Sequence, residues 1–190
     1  MKKAKKSLSQ NFLIDKNISN KIINQTEIKN NNILEIGPGY GFLTDIIISN
    51  NPKKLFLIEK DIHLKELLLQ KYKKNKKIQI VGEDILKFNF KGYKNLIIIS
   101  NLPYNISTKI ILYLFYYNKN INEMVLMIQK EVAEKFDYKL PQMNKYKFLT
   151  NIVSTYFRCF DVSSNVFFPK PKVKSTVVKF KFNKKNFDLE

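Results

Sequence analysis

The sequence predicts an α/β protein with a mainly parallel, doubly wound sheet, and three observations lead to this fold class. Short apolar runs rich in β-branched residues alternate along the 190 residues with stretches of helical length. Three of the five glycines fall in one loop, directly after the first such run. Acidic residues follow the next two runs. Parallel strands present their carboxyl ends at one edge of the sheet, so we expect a ligand site at that edge.

The first half of the chain is predicted to fold as a docking segment followed by strand–helix units. Residues 1–6 are basic and predict a disordered tail, whereas residues 10–13 join two amides to two apolar side chains and predict a segment that docks on the body. An amphipathic helix with isoleucines on one face comes next. The predicted helices cover residues 15–28, a stretch ending near residue 49, and residues 62–72; the predicted strands cover residues 33–36, 54–60 and 78–81.

The second half continues the alternation of strands and helices. We expect strands over residues 96–100, 123–129, 156–162 and 176–182, and helices over residues 108–117, 130–136 and 148–155. Residues 137–147 are polar, contain Pro141 and predict a loop. Pro169 and Pro171 fix an extended loop before the last strand. The sequence has no internal repeat and no clear linker, so residues 1–190 are predicted to form one domain.

The charge of the chain indicates a polyanionic partner. The formal net charge is +18 and the isoelectric point is about 9.8. Such a surface attracts nucleic acid. Arg158 is the single arginine, and lysine lacks the planar fork that reads guanine edges, so tracking of the phosphate backbone is favoured over sequence reading. The alternative is compositional drift, since lysine, asparagine and isoleucine are abundant throughout.

Single residues exclude several other classes. Cys159 is the only cysteine, so neither a disulfide framework nor a cysteine metal site is expected. His63 is the only histidine and lies in a predicted helix, where a solvent-facing position is favoured over a catalytic triad. The basic start lacks the apolar segment of a secretory signal, and the apolar run over residues 110–117 is too short to span a bilayer. We expect a cytoplasmic protein without a metal ion.

The tips of the first three predicted strands indicate a pocket for an adenosine-type ligand. The first tip carries Gly37, Gly39 and Gly41, which would let the backbone approach a ligand closely, although tight strand-to-helix turns also use glycine. Glu59 ends the second strand about twenty residues further on, the spacing at which an acidic side chain reaches ribose hydroxyls. Asp84 follows the third strand. Three such tips at one edge are more specific than a glycine loop or a surface carboxylate alone.

The fourth strand ends abruptly at residues 101–104, Asn-Leu-Pro-Tyr. Pro103 cannot donate to a sheet and keeps Leu102 extended, so the chain leaves the sheet at its carboxyl edge. This exit brings an amide side chain, a main-chain carbonyl and an aromatic ring to one place. Alone, the motif favours a strand exit with a packed tyrosine over a functional site. Its position beside the three acidic and glycine-rich tips favours a functional role.

Taken in order, these motifs resemble those of the ribosomal RNA adenine N6,N6-dimethyltransferase family, especially its bacterial small-subunit (kasugamycin-sensitivity) branch. The resemblance covers nearly all of residues 7–182. It is carried by residues 10–13, 35–39, 101–107, 129–133 and 167–173, together with Glu59 and Asp84. The family has the class I S-adenosylmethionine-dependent methyltransferase fold, a Rossmann-like sheet of seven strands whose last strand is antiparallel. We therefore expect that sheet and that cofactor here.

The resemblance also implies how the cofactor is held. Asn11 and Leu13 would close over its methionine end. The backbone would approach it at two further positions, Gly37 and Gly39. Glu59 would bind the ribose and Asp84 the adenine amine.

The resemblance further implies the residues that act on the target base. Asn101 would lie beside the methyl donor, and its side-chain oxygen and the Leu102 carbonyl would accept the two N–H bonds of the adenine amine. That arrangement frees the nitrogen lone pair, which is otherwise delocalised into the ring. Tyr104 and Phe167 would sandwich the base, with Phe168 as the alternative to Phe167. Preorganised dipoles and positioning would then carry most of the catalysis.

Some positions depart from the family pattern. Ser100 and Lys147 stand where glycine is usual, and Lys174 stands where an acidic residue is usual. These changes bear more on the loops around the target base than on the cofactor. The small helical domain that normally follows is apparently absent, and the sequence does not distinguish a short form from a truncated one.

We expect a monomer that dimethylates two adjacent adenosines of ribosomal RNA in the small subunit, without a membrane or metal partner. One alternative is a large-subunit methyltransferase of the macrolide-resistance type. Another is a non-catalytic nucleic-acid-binding factor of the same fold, although the intact motif at residues 101–104 argues against it. A DNA adenine methyltransferase is disfavoured because no sizeable target-recognition insertion is visible.

Overall fold

The computed structural model describes residues 11–183, so the predicted basic tail and the first residues of the docking segment lie outside the described residues. The strands are β1 (Phe12–Leu13), β2 (Asn32–Ile36), β3 (Lys54–Ile58), β4 (Ile78–Val81), β5 (Leu96–Asn101), β6 (Ile121–Gln129), β7 (Ser154–Val162), β8 (Phe167–Phe168) and β9 (Ser175–Phe182). The α-helices are α1 (Lys16–Ile23), α2 (Phe42–Ser49), α3 (Ile62–Tyr72), α4 (Ser107–Tyr116), α5 (Lys130–Phe136) and α6 (Lys145–Val153).

Seven of these strands form one sheet in the order β4-β3-β2-β5-β6-β9-β7. The first five in that order pair in parallel, and β9 is antiparallel to both of its neighbours. This arrangement confirms the predicted seven-stranded, mainly parallel sheet with an antiparallel last strand. The strand order reverses between β2 and β5, whose carboxyl ends therefore flank the crevice where such sheets bind ligands.

Two apolar layers cover the faces of the sheet. Leu96 and Ile98 of β5 pack into one layer, and Ile97 and Ile99 pack into the other. The strand is therefore buried on both sides, which explains why its sequence is a continuous apolar run rather than an alternating one. The layers hold the carboxyl ends of the central strands in place.

Most predicted boundaries agree closely, and those of α3 and β4 agree to the residue. The prediction for the first helix was too long, because α1 ends at Ile23 and residues 24–31 form turns, with Asn30 at a φ of 60°. The prediction for the sixth helix began too late. Asn144 caps α6, since its Oδ1 accepts the amide hydrogens of Tyr146 and Lys147 at 2.8 and 3.0 Å.

The short strands β1 and β8 form a separate antiparallel pair beside the main sheet. Phe12 pairs with Phe168 and Leu13 with Phe167. The amide of Ile14 also donates to the carbonyl of Val166 at 3.0 Å. The start of the described chain is thus attached to the segment before the proline-rich loop. No helix within residues 11–183 has the length and apolar character needed to cross a membrane.

Candidate active site

A cavity opens at the carboxyl edge of the sheet, beside the ends of β2, β3 and β5. It brings together eight of the predicted site residues: Asn11, Gly37, Gly39, Glu59, Asp84, Asn101, Leu102 and Tyr104. Two other predicted residues, Leu13 and Phe167, do not line it and are buried in the apolar layer. Apolar side chains of Ile36, Ile58 and Ile85 cover part of the wall.

The glycine loop lies on one side of this cavity. Gly37 and Gly39 have φ angles of 63° and 61°, in the left-handed region that favours glycine. A Cβ atom at Gly39 would lie 2.9 Å from the Phe12 ring, whereas one at Gly37 would meet nothing within 4 Å. The loop is fixed to the neighbouring strand, since the Gly37 amide donates to the Ile58 carbonyl at 2.9 Å. A ligand can therefore approach the backbone at Gly37 without meeting a side chain, whereas Phe12 covers the backbone at Gly39.

Glu59 lies next to the glycine loop and is only 6% exposed. Its two oxygens accept the amide hydrogens of Gly39 and Asp61 at 3.1 and 2.9 Å. Burial raises the pKa of this carboxyl, and the two backbone hydrogen bonds oppose that rise. A carboxylate offers about four acceptor positions, so Glu59 retains capacity for hydroxyl donors from a ligand.

Asp84 lies further along the same edge and is paired with Lys60. The Lys60 ammonium is 2.7 Å from Oδ2, and the amide of Leu86 donates to Oδ1 at 3.1 Å. The hydrogen bond from Lys60 holds the pKa of Asp84 below its usual range. Asp84 is therefore an ionised acceptor at neutral pH, able to take a further N–H donor.

Asn101 ends β5 on the opposite side of the cavity. Its amide nitrogen donates to the main-chain carbonyl of Asn11 at 2.8 Å. A carbonyl only accepts hydrogen bonds, so the nitrogen must face Asn11 and the oxygen must face the other way. That oxygen, Oδ1, is buried and has no hydrogen-bond partner among the described residues. A buried acceptor without a donor is costly and marks a place where a ligand donor would be stabilised.

The loop after Asn101 is held by a main-chain contact and by contacts of the Ser107 and Tyr104 hydroxyls. The amide of Leu102 donates to the carbonyl of Met127 at 3.1 Å, and the Ser107 hydroxyl donates to the carbonyl of Tyr104 at 3.2 Å. The Tyr104 hydroxyl shares a hydrogen bond of 2.6 Å with Ser175. Burial raises the pKa of Tyr104, so its phenol stays protonated at neutral pH.

The two phenylalanines of β8 face in different directions, as successive residues of a strand do. Phe167 is 3% exposed and packs in the same apolar layer as Leu13. Phe168 is 54% exposed. The ring that the resemblance implies for stacking is therefore buried in this conformation, and the exposed ring is its neighbour.

Glu35 lies beneath the glycine loop and is 2% exposed. The Thr44 hydroxyl donates to its Oε2 at 2.6 Å. Burial is the main cause that raises the pKa of Glu35 to about 8, with further contributions from the charges of Asp45 and Glu59. The Glu35 carboxyl is thus mainly protonated at neutral pH. It lies under the loop and does not line the cavity.

The sequence did not reveal that the end of α3 holds the glycine loop. Lys71 begins a lysine-rich run whose pattern is typical of a solvated helix end, but its ammonium donates to the carbonyl of Tyr40 at 3.1 Å and to Asp45 at 2.7 Å. The Tyr72 hydroxyl lies 3.1 Å from the carbonyl oxygen of Gly41 and 2.7 Å from Asp45 Oδ1. These residues are separated by about thirty positions, so no local pattern could have indicated the contact.

Two departures from the family pattern are accommodated without unpaired groups. The Ser100 hydroxyl donates to the carbonyl of Ile36 at 2.6 Å, which ties β5 to the end of β2. The buried ammonium of Lys147 donates to the carbonyls of Leu140, Pro141 and Gln142 at 2.8–3.2 Å. The first lies beside the cavity, and the second organises the loop before α6.

Metal-ligating side chains do not cluster in the part of the chain that the structure describes. Within residues 11–183, no group of three or more histidine, cysteine, aspartate or glutamate side chains is arranged to hold a metal ion. His63 is exposed on α3, as the sequence predicted.

Comparisons with known proteins give a consistent family and fold. The model of the family described as "Ribosomal RNA adenine dimethylase" matches residues 1–190. A protein named "Ribosomal RNA small subunit methyltransferase A" from Malacoplasma penetrans is 45% identical over 98% of this chain and 68% of its own length. A protein of the same name from Buchnera aphidicola is 43% identical over 93% of this chain and 69% of its own length. The chain thus spans about two thirds of the length of these relatives.

Solved structures agree with the fold. A dimethyladenosine transferase from Plasmodium falciparum superimposes with a TM-score of 0.81 at 26% identity, over 91% of this chain and 64% of that chain. A structure titled 23S rRNA methyltransferase ErmE gives a TM-score of 0.84 at 23% identity, over 95% of this chain and 72% of that chain. The identity to ErmE is low enough that this likeness concerns the fold alone.

Proposed function

We propose a function from one premise: this chain belongs to the ribosomal RNA adenine dimethylase family. The proposed reaction is transfer of methyl groups from S-adenosylmethionine to the N6 amines of two adjacent adenosines in small-subunit ribosomal RNA. The names of the relatives support the small subunit as substrate. The observation that carries the proposal is that Asn101 lines the cavity and that its buried Oδ1 has no hydrogen-bond partner within residues 11–183. We further propose that the protein acts as a monomer in the cytoplasm.

The residues opposite Asn101 fit the cofactor. The Gly37 backbone is open to the cavity, and Glu59 retains acceptor capacity for ribose hydroxyls. Asp84 is an ionised acceptor that suits an exocyclic amine. The isoleucines of the wall suit the faces of an adenine ring. When bound, S-adenosylmethionine would supply an electrophilic methyl group on a sulfonium centre.

The part of Asn101 is to hold and activate the target amine. An exocyclic adenine amine is a weak nucleophile because its lone pair is delocalised into the ring. Oδ1 of Asn101 would accept one N–H bond and the Leu102 carbonyl would accept the other, which favours a tetrahedral nitrogen with a free lone pair. The bond from the Asn101 nitrogen to Asn11 keeps Oδ1 in that orientation before substrate arrives. After the first transfer one N–H remains, so only one of the two acceptors is used in the second.

Aromatic rings would hold the target base outside its helix. Tyr104 lines the cavity and supplies one ring. Stacking on an aromatic side chain contributes about 1–3 kcal/mol per base. For the second ring, the resemblance implies Phe167, but exposure in this conformation favours Phe168. Phe167→Leu and Phe168→Leu separate the two: the stacking residue is the one whose replacement raises the KM for RNA without lowering thermal stability.

The experiment that tests the function is methylation of purified ribosomal subunits. Small and large subunits from cells that lack this modification are incubated with the protein and labelled S-adenosylmethionine, and the modified nucleotides are mapped. We expect two adjacent N6,N6-dimethyladenosines in the small subunit. Methylation of the large subunit alone would instead support the macrolide-resistance type of enzyme. Binding of RNA without any methylation would support a non-catalytic factor.

A further inference from the structure

The Tyr104 hydroxyl makes a side-chain contact that base stacking does not require. It shares a hydrogen bond of 2.6 Å with the hydroxyl of Ser175, which lies 71 positions later in the chain. A phenylalanine ring offers the same aromatic face to a base as a tyrosine ring does. The Tyr104 hydroxyl must therefore have a role other than stacking. Its partner, Ser175, indicates that role.

Ser175 provides a rigid attachment point for this contact. It is the first residue of β9, is fully buried, and pairs with Gln129 of β6 and Val162 of β7. The amide of Lys130 extends this pairing by donating to the carbonyl of Lys174 at 3.0 Å. Ser175 is thus fixed by a neighbouring strand on each side. A side chain bound to it is held relative to the whole sheet.

Tyr104 lies in a loop whose known anchors act on the main chain. The amide of Leu102 and the carbonyl of Tyr104 itself are hydrogen-bonded, as described above. Neither contact determines which rotamer the side chain adopts, because rotation about the Cα–Cβ bond leaves both unchanged. The contact with Ser175 acts at the far end of the ring. It therefore selects the orientation in which the half-buried ring lines the cavity.

We propose that Ser175 is a positioning residue that fixes the Tyr104 ring at the mouth of the cavity, so that the ring is ready to receive the target adenine. The inference rests on the proposed function, because it assigns the ring to a base. Ser175 itself touches neither cofactor nor base. It contributes by removing the other rotamers of Tyr104 before the RNA binds, which lowers the entropic cost of binding.

The test is a double-mutant cycle on the full chain, with Ser175→Ala, Tyr104→Phe and the double variant. One ordinary neutral hydrogen bond corresponds to about a five-fold change in an equilibrium. We expect each single change to raise the KM for small subunits about five-fold while kcat and the affinity for S-adenosylhomocysteine stay within two-fold. The double variant should show the same five-fold change rather than the product of the two, since both changes remove one interaction. Ser175→Thr, which keeps the hydroxyl, should restore the KM.

Thr176→Val is the matched control. Thr176 is the next residue of β9 and is equally buried. Its replacement by valine removes a hydrogen bond of 2.8 Å to Asp161 and leaves the bond between Ser175 and Tyr104 in place. We expect it to lower the melting temperature about as much as Ser175→Ala does and to leave the KM unchanged. A rise in KM for Thr176→Val as well would show that any loss of a hydroxyl in β9 has this effect, and would overturn the proposal.

Other outcomes also decide the question. Multiplicative effects in the double variant, or an unchanged KM in Tyr104→Phe, would overturn the positioning role. Tyr104→Phe removes one oxygen atom and keeps the ring, so it remains informative even if Ser175→Ala fails to fold. Failure of the wild-type protein to methylate small subunits would overturn the proposed function. Methylation with unchanged KM values would overturn only this inference.

Discussion

The two sides of the cavity are built in different ways. On the cofactor side, Gly39 and Glu59 are only 20 positions apart and belong to neighbouring strand–helix units. On the substrate side, Asn101 is oriented by Asn11, 90 positions away, and Tyr104 by Ser175, 71 positions away. The first side is assembled from units that are local in sequence. The second exists only when distant segments have met.

This difference predicts how each side responds to change. Several contacts together hold the cofactor side: the main-chain bond from Gly37 to Ile58, the bonds that Glu59 accepts from two amides, and the bond from Lys71 to the loop. Single side-chain bonds hold the substrate side, so removing one leaves its partner unrestrained. Substitutions should therefore affect cofactor binding or RNA turnover separately, and measuring both for each variant tests whether the two sides are independent.

The largest expected effect belongs to Asn101. Asn101→Ala removes the acceptor proposed to activate the amine, so we expect kcat to fall about 10²- to 10³-fold, the effect of losing a preorganised transition-state contact. Affinity for S-adenosylhomocysteine, measured by calorimetry, should change less than three-fold, because the opposite side holds the cofactor. Asn89→Ala, an exposed asparagine in the loop before β5, is the control and should behave as wild type. Unchanged turnover in Asn101→Ala would refute the assigned role.

The same difference explains what the sequence could and could not predict. The positions of Glu59 and Asp84 at one edge followed from strand periodicity and the geometry of parallel sheets, and α3 and β4 were predicted to the residue. The burial of Phe167 did not follow, because it depends on the pairing of β1 with β8. Such pairing joins segments more than 150 positions apart, and no periodicity within either segment encodes it.

The contact of Lys71 with the glycine loop was missed for the same reason. A lysine at the start of a lysine-rich run has the sequence pattern of a solvated helix end. Its ammonium reaches the loop because Lys71 lies on the same face of α3 as the buried Leu64 and Leu68, and this face is turned towards the body of the protein. Long polar side chains can reach distant partners, and the local composition does not predict such contacts.

The next prediction concerns the stability of the fold when Glu35, beneath the glycine loop, changes its charge. The pKa of Glu35 is raised from its ordinary value of 4.5 to about 8 by burial. Between these values the folded protein holds a proton that the unfolded chain releases, so stability must fall as pH rises from about 4.5 to about 8. Glu35→Gln cannot ionise, and it should remove this decline in the free energy of unfolding, which amounts to at most about 5 kcal/mol.

Urea denaturation at pH 5.5 and pH 8.5 measures that decline. The wild-type protein should lose much more free energy of unfolding between the two pH values than Glu35→Gln does. Glu66→Gln, which changes an exposed glutamate of α3, should keep the wild-type dependence. If Glu35→Gln also keeps it, the carboxyl does not hold its proton in the folded state.

A smaller effect is expected from Glu59. Glu59→Gln keeps the shape of the side chain but turns an amide donor towards one of two backbone N–H groups, those of Gly39 and Asp61. Hydrogen bonds to charged groups contribute about 1.5–3 kcal/mol, so affinity for S-adenosylhomocysteine should fall about 10- to 100-fold. The KM for RNA at saturating cofactor should stay within two-fold. An equal rise in both would show that the two sides are coupled.

The smallest effect concerns the contact between α3 and the glycine loop. Tyr72→Phe removes a hydroxyl that lies near the Gly41 carbonyl and Asp45, but Lys71 still bonds to Tyr40 and Asp45, so the loop keeps a second restraint. We therefore expect cofactor affinity to fall only about three-fold, less than the loss of a full hydrogen bond. Calorimetry with S-adenosylhomocysteine measures the change.

Tyr116→Phe is the matched control for this variant, since Tyr116 is 54% exposed at the end of α4 and does not line the cavity. The diagnostic comparison is with Lys71→Met, which removes the other restraint. If either single change lowers affinity about three-fold and the double variant lowers it far more than nine-fold, the two contacts substitute for each other in holding the loop. If the double variant binds the cofactor as tightly as wild type does, the left-handed glycines and the bond from Gly37 to Ile58 are sufficient to fix the loop. The cofactor side would then depend only on contacts between neighbouring strand–helix units.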